Sequence, residues 1–324
     1  MNGRTGLVAT LVALAATTAG VRAEVYPSRA INLVVPAASG GPTDTIARIL
    51  AEHMRATFGQ PVIVENVPGA AGTNGVGRVA RAAPDGYTIV IGLSSTHVNN
   101  GAIYKLPYDV LADFAPIALI SNSPHLIVSK TSVPAKDLRE LIAWLKINPG
   151  KAFEGTVGIG SPPHIAGVYF QKLTATTFEF VPYRGAAEAM QGLLAGQIDL
   201  LFPQAAALQL AHAGKIRAYA VMARTRLENA PDIPTVDEAG ASGLYVSTWY
   251  ALWAPNGTSQ DVITKLNAAV MEALADPAVR QRFADQQQDI FPREMQTPEA
   301  LRTFQNAEVK KWWPIIKAAK IKLE

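Results

Sequence analysis

The feature that most restricts how this chain folds is a short apolar run that breaks on glycine and restarts as a helix. In Ile31 to Asp44 (I-N-L-V-V-P-A-A-S-G-G-P-T-D), Leu33-Val34-Val35 ends at Pro36, and Gly40-Gly41 opens a segment carrying Ile46, Ile49, Leu50 and Met54. The spacing predicts a buried strand, a tight loop and a helix with one apolar face. The first N–H groups of a helix have no partner inside it and carry partial positive charge, so such an end suits an anion. Glycine lets a ligand approach the backbone without meeting a Cβ. These residues alone fit a plain strand-to-helix turn equally well.

The junction recurs. Thr156-Val157-Gly158-Ile159 runs into Gly160-Ser161-Pro162-Pro163-His164, and helical spacing continues through Ile165, Val168, Tyr169 and Leu173. A second copy, in what reads as another lobe, favours the anion site over the plain turn. A third strand, Tyr87 to Ile91, leads into Ser94-Ser95-Thr96-His97, and ligands of open α/β sheets lie beyond the carboxyl ends of strands. A polar cap for the next short helix is the alternative there. Phe178 to Val181 ends at Tyr183-Arg184-Gly185, and Ile198 to Phe202 leads to Pro203-Gln204. The glycine-dense Pro68 to Gly77 lacks the order of a dinucleotide fingerprint and is expected to pass close to another backbone. Ser121 to Pro124 reads as a break between two strands and the first crossing between domains. Pro231 to Val236 reads as a surface segment, and Val246 to Ala254 as the returning strand.

Composition enters by exclusion. The 324 residues include no cysteine, which removes thiol catalysis, iron–sulfur chemistry and cysteine-bound zinc. A chain this long buries enough apolar surface to do without disulfides. The net charge of +3, with no Lys/Arg run, gives no footprint for nucleic acid. Arg4, the apolar Leu11 to Ala16, and Val21-Arg22-Ala23 before Glu24 read as a secretory signal over residues 1–23. No later stretch approaches the ~18 apolar residues of a spanning helix.

Catalytic sets are absent as patterns. The five histidines form no H-x-x-x-H pair, so no metal site is expected. Gly158-Ile159-Gly160-Ser161-Pro162 lacks the last glycine of a nucleophile elbow. Ser95/His97 and Ser161/His164 have no evident carboxylate to orient the imidazole. The polar groups at strand ends suit holding a ligand without transforming it, and no catalytic residue or cofactor is assigned.

Taken in order, these motifs resemble the substrate-binding proteins of tripartite tricarboxylate transporters, also called Bug receptors. The resemblance rests on Val35-Pro36 to Gly40-Gly41-Pro42-Thr43-Asp44, Ala83-Pro84-Asp85-Gly86-Tyr87-Thr88, Ser94-Ser95-Thr96, and Leu106-Pro107-Tyr108-Asp109 with Asp113-Phe114-Ala115-Pro116-Ile117. It continues through Gly160-Ser161 with His164, Val181-Pro182-Tyr183-Arg184-Gly185, Leu193 to Asp199, Asp232-Ile233-Pro234-Thr235, and Trp249 to Pro255.

The resemblance implies a periplasmic binding protein fold of type II, two α/β lobes around a cleft, joined by crossing strands. Lobe 1 would comprise residues 24–123 and 247–324, and lobe 2 residues 124–246. It implies an exported, monomeric receptor that binds a small carboxylate and serves membrane permease subunits. A periplasmic sensor acting on a receptor kinase is the alternative. The expected ligand-binding residues are Ala38, Ser39, Gly40, Gly41, Thr43, Asp44, Ser94, Ser95, Thr96, Gly160, Ser161, His164, Arg184 and Gln204, with the carboxylate held largely by backbone N–H groups. The chain departs from the family pattern at Ser39 (often proline), Pro42 (glycine), Arg184 (lysine) and Pro203-Gln204 (an Asp-Asn pair). Arg184 could take a carboxylate bidentately where lysine could not. Asp44, an acid in an anion site, is expected to accept hydrogen bonds from its own loop.

Overall fold

The structure, a computed structural model, describes residues 26–321; the leader read at residues 1–23 lies outside them. The strands are β1 (Ile31–Val35), β2 (Val62–Asn66), β3 (Thr88–Leu93), β4 (Phe114–Pro124), β5 (Leu126–Lys130), β6 (Phe153–Thr156), β7 (Glu179–Pro182), β8 (Leu200–Leu201), β9 (Ile216–Val221), β10 (Ser247–Pro255) and β11 (Asp289–Ile290). The helices are α1 (Pro42–Phe58), α2 (Thr73–Ala80), α3 (Asn100–Ile103), α4 (Leu138–Ile147), α5 (Pro162–Thr174), α6 (Ala186–Leu194), α7 (Leu208–His212), α8 (Gln260–Ala275), α9 (Pro277–Asp285) and α10 (Pro298–Ala318).

Two sheets divide these strands. The larger has the order β11-β4-β10-β3-β1-β2, the smaller β7-β6-β8-β5-β9. β1 pairs in parallel with β2 and β3, and β6 with β7 and β8, so the loops after these strands leave each sheet at a common edge. In β1, Leu33, Val34 and Val35 are all buried because helices cover both faces. α1 lays Ile46, Ile49, Leu50 and Met54 against one face, each burial contributing about 1.5–3 kcal/mol. It begins with Pro42 at its first position, where a missing N–H costs no helical bond. It ends at Gly59, whose left-handed backbone (φ 64°) returns its N–H to Arg55 O at 3.0 Å. This is the two-lobed α/β architecture expected from the chain.

Two strand readings change. β4 runs unbroken through Ser121 to Pro124, because these residues pair with Ser247 to Tyr250 of β10; only His125 separates it from β5. The proline-punctuated Pro231 to Val236 is not a surface strip: Ile233 and Val236 are buried, and Val221 N–H donates to Pro234 O at 2.9 Å. Pro68 to Gly77 does graze a neighbour. A Cβ on Gly75 would stand 2.8 Å from Val67 O and 3.0 Å from Pro36 Cα.

The chain passes from the larger sheet to the smaller at Pro124–Leu126 and back between Val221 and Ser247. His125 pins both passages. Its Nδ1 lies 2.6 Å from Phe202 O, which can only accept, so Nδ1 carries the proton and Nε2 accepts from Thr248 Oγ1 at 3.0 Å. Burial pushes this imidazole down to about 4, which keeps it neutral. Helix α10 spans the two halves as well. Its Trp313 Nε1 donates to Val98 O, its Trp312 meets Tyr169 of α5 edge-on at 5.3 Å, and Ile321 beyond it is buried.

Candidate functional site

At the first junction the loop 36–41 is organised by Asp44. Its Oδ2 accepts from Gly40 N–H and from Arg48 Nε, both at 2.9 Å, and its Oδ1 accepts from Asn66 Nδ2 at 3.0 Å. The same Asn66 amide donates to Ala37 O at 3.1 Å. Burial pushes the Asp44 carboxyl up, yet the bonds from Arg48, Gly40 and Asn66 outweigh it and hold it below the usual range. Asp44 therefore shapes the loop, as expected of it. Ala38, Ser39 and Gly40 are exposed, Gly41 is half-buried and Thr43 is buried. Gly40 N–H is spent on Asp44, so it is not among the donors left for a ligand. Among the described residues, none accepts from the N–H groups of Gly41, Thr43 or Asp44.

The second junction repeats this construction with different chemistry. Gly160 N–H donates to His164 Nδ1 at 2.9 Å, the same offset as Gly40 to Asp44. Both glycines take positive φ, 83° and 76°. His164 must be neutral with its proton on Nε2, and burial pushes it down to about 4. Ser161 occupies the cap position, but its hydroxyl turns back to Gly158 O at 2.7 Å and its N–H donates to the same oxygen at 3.2 Å. Pro162 and Pro163 carry no N–H. Among the described residues one first-turn donor remains without an acceptor, that of His164.

Beyond β3, Ser95 to Asn99 form a wide helical turn leading into α3. Thr96 Oγ1 accepts from Leu93 N–H at 3.0 Å and lies 3.0 Å from His97 Nδ1, so its hydroxyl closes the turn. Here the capping alternative describes Thr96. His97 stacks on Trp253 (3.8 Å, 7°) and burial drives it to about 3, which makes it a core histidine. Ser95 is half-buried. Ser94 Oγ is buried with no hydrogen-bond partner among the described residues, as is Ser123 Oγ on β4.

Arg184 and Gln204 leave the smaller sheet at the same edge as the Gly160 loop, since β6, β7 and β8 are parallel. Arg184 is exposed, with no carboxylate within salt-bridge distance among the described residues; its N–H is taken by Glu188 Oε2 at 2.9 Å. Gln204 reaches the opposite half through a residue absent from the expected set. Tyr250 lies opposite Leu93 in β10, fully buried as a ring, with the side chains of Gln204 and Thr43 beside its hydroxyl. Burial raises its pKa against the opposing influence of those two polar neighbours. Tyr250 thus stands between the first turn of α1 and Gln204 of the other half. Inside an apolar run its only sequence signal is a buried hydroxyl that must find partners.

Among the described residues no three acidic or histidine side chains gather as a metal site, and no helix is long and apolar enough to cross a membrane. The profile of the tripartite tricarboxylate transporter family receptor matches residues 46–321. The protein BugT of Bordetella pertussis is 32% identical over 321 residues, 98% of each chain. The Rhodopseudomonas palustris protein MatC, solved with bound malate, is 36% identical with TM-score 0.80, over 90% of this chain and 100% of that one. Another R. palustris structure, with adipate, is 30% identical with TM-score 0.81, over 92% and 100%. With a family match over residues 46–321 and relatives of this identity and coverage, the chain belongs to the tripartite tricarboxylate transporter receptor family.

Proposed function

We propose that this protein is an exported periplasmic receptor that takes a small carboxylate between its lobes and hands it to membrane permease subunits. The observation that carries this reading is the set of free donors at the first turn of α1. The N–H groups of Gly41, Thr43 and Asp44 belong to a turn whose Thr43 side chain neighbours the Tyr250 hydroxyl, as does Gln204 of the other lobe. A carboxylate there would gain from the helix end and from charge-assisted hydrogen bonds. Malate and adipate in two relatives support the ligand class.

The junctions also speak to what the ligand lacks. The acid among them, Asp44, has both oxygens engaged by Gly40, Arg48 and Asn66. An ammonium group would find no carboxylate free to pair with it, and an unpaired buried charge is costly. Organic acids without an amine fit best. Thermal-shift measurements of the mature chain against malate, adipate, citrate, benzoate and aspartate test this. A rise in Tm with one of the first four and none with aspartate is expected. No shift with any of them, at millimolar concentration, would remove the carboxylate reading. Capture of permease subunits only by the acid-loaded protein tests the delivery step.

A further inference from the structure

The glycines at the two junctions face different things. A Cβ added to Gly40 would have no atom within 4 Å. One added to Gly160 would overlap Ile103 Cδ1, a residue of the opposite lobe. The atom met is the terminal methyl of Ile103, which can turn about χ2, whereas the backbones on both sides are held. Gly160 is fixed by its bond to His164 and by the turn closed by Ser161. Ile103 is buried on α3, whose Gly101 leaves no room for a side chain against Trp313 of α10 (2.8 Å to Cζ2). Trp313 is held in turn by its bond to Val98 O at 2.9 Å. A methyl group carried on a held helix therefore rests on the Gly160 backbone with only a hydrogen atom of glycine between them.

We infer that Ile103 against Gly160 is the stop that sets how far the two lobes close, and so sets affinity without touching the ligand. The inference rests on the reading of the protein as a two-lobed receptor. Closed forms bind because both lobes reach the ligand, and anything that holds them apart lowers the population of that form. Ile103 and Gly160 are positioning residues in this sense. Close-packed interfaces do not absorb an added methyl group without moving.

The chain has no cysteine, so a fluorophore pair can be placed at exposed Ile63 and Ile147, one on each lobe, and read by energy transfer. In the Gly160→Ala protein the transfer should change from wild type in the direction of opening, and affinity for malate or adipate should fall at least tenfold. Adding Ile103→Ala should return both towards wild type. Ile103→Ala alone, which introduces no backbone strain, should shift transfer in the opposite direction. Unchanged transfer in both single variants overturns the stop. So does failure of Ile103→Ala to rescue, because left-handed strain at position 160 remains in the double variant. If wild type binds neither acid while the transfer changes still appear, the stop stands and the carboxylate reading fails.

Discussion

The first turns of α1 and α5 are built on one plan and finished differently. In each, a glycine with positive φ gives its N–H to the side chain four residues on, and proline opens the helix. At α1 the acceptor is a carboxylate braced by Arg48 and Asn66, and three N–H groups stay free. At α5 the acceptor is a neutral imidazole, a second proline follows the first, and the glycine packs on the other lobe. A shared loop plan can thus yield one end that grips an anion and one that governs approach. The difference lies in which donors are left over, not in the loop shape.

That contrast can be broken from either side. Asp44→Ala should have the largest effect: it removes the shared acceptor of the Gly40, Arg48 and Asn66 bonds, and urea denaturation should show a loss of about 3 kcal/mol. Next comes acid. His164 and His125 sit near 4 and His97 near 3, against an ordinary 6.5, so the unfolded chain takes up protons first as pH falls. Their stability contribution is whole above pH 6.5 and declines on descent towards 4, each group losing about 1.4 kcal/mol for every pH unit crossed. Asp44, held below its ordinary 3.8, weakens only at lower pH still, so the α5 junction should fail before the α1 junction. His164→Asn keeps an acceptor that does not titrate. Unfolding free energies from urea titrations should fall less between pH 7 and 4 in that variant, by about 3 kcal/mol.

A smaller effect tests the spare donors. Thr43→Pro copies the α5 sequence pattern onto α1 and deletes one N–H, whereas Thr43→Ala deletes only the hydroxyl. Titration calorimetry with malate or adipate should show the proline variant about tenfold weaker than the alanine one, or about 1.4 kcal/mol. Equal affinities would mean the Thr43 N–H does not meet the ligand. Least of all, Ser94→Ala should change unfolding stability by no more than about 0.5 kcal/mol, since its buried oxygen has no protein partner to lose. Its influence should appear in the ranking of acids instead.

How much of this was legible depended on how local the cause was. Strand, glycine and helix at Val35–Asp44 and Ile159–His164 follow rules of a few residues, and so does the role of Asp44. Which N–H groups remain free was not legible, because the competitors are placed by the folded loops: His164 Nδ1 for Gly160, Gly158 O for Ser161. Tyr250 was invisible for a larger reason. It reaches the site through antiparallel pairing with Leu93, far away in the chain, and meets Thr43 and Gln204 only after both sheets form. Ser121 to Pro124 looked like a break until β10 supplied hydrogen-bond partners. Pro231 to Val236 looked superficial because proline masks burial of Ile233 and Val236.

Helix α10 has one more consequence. It joins the larger sheet to α5 through Trp313, Trp312 and Ile321, and one apolar cluster runs from Val34 and Trp253 through Ile103 to Ile165 and Phe170. Melting either half alone would expose the face it shares with the other. The protein should therefore unfold cooperatively as a single unit, with one calorimetric peak where two lobes joined by crossing strands would lead one to look for two.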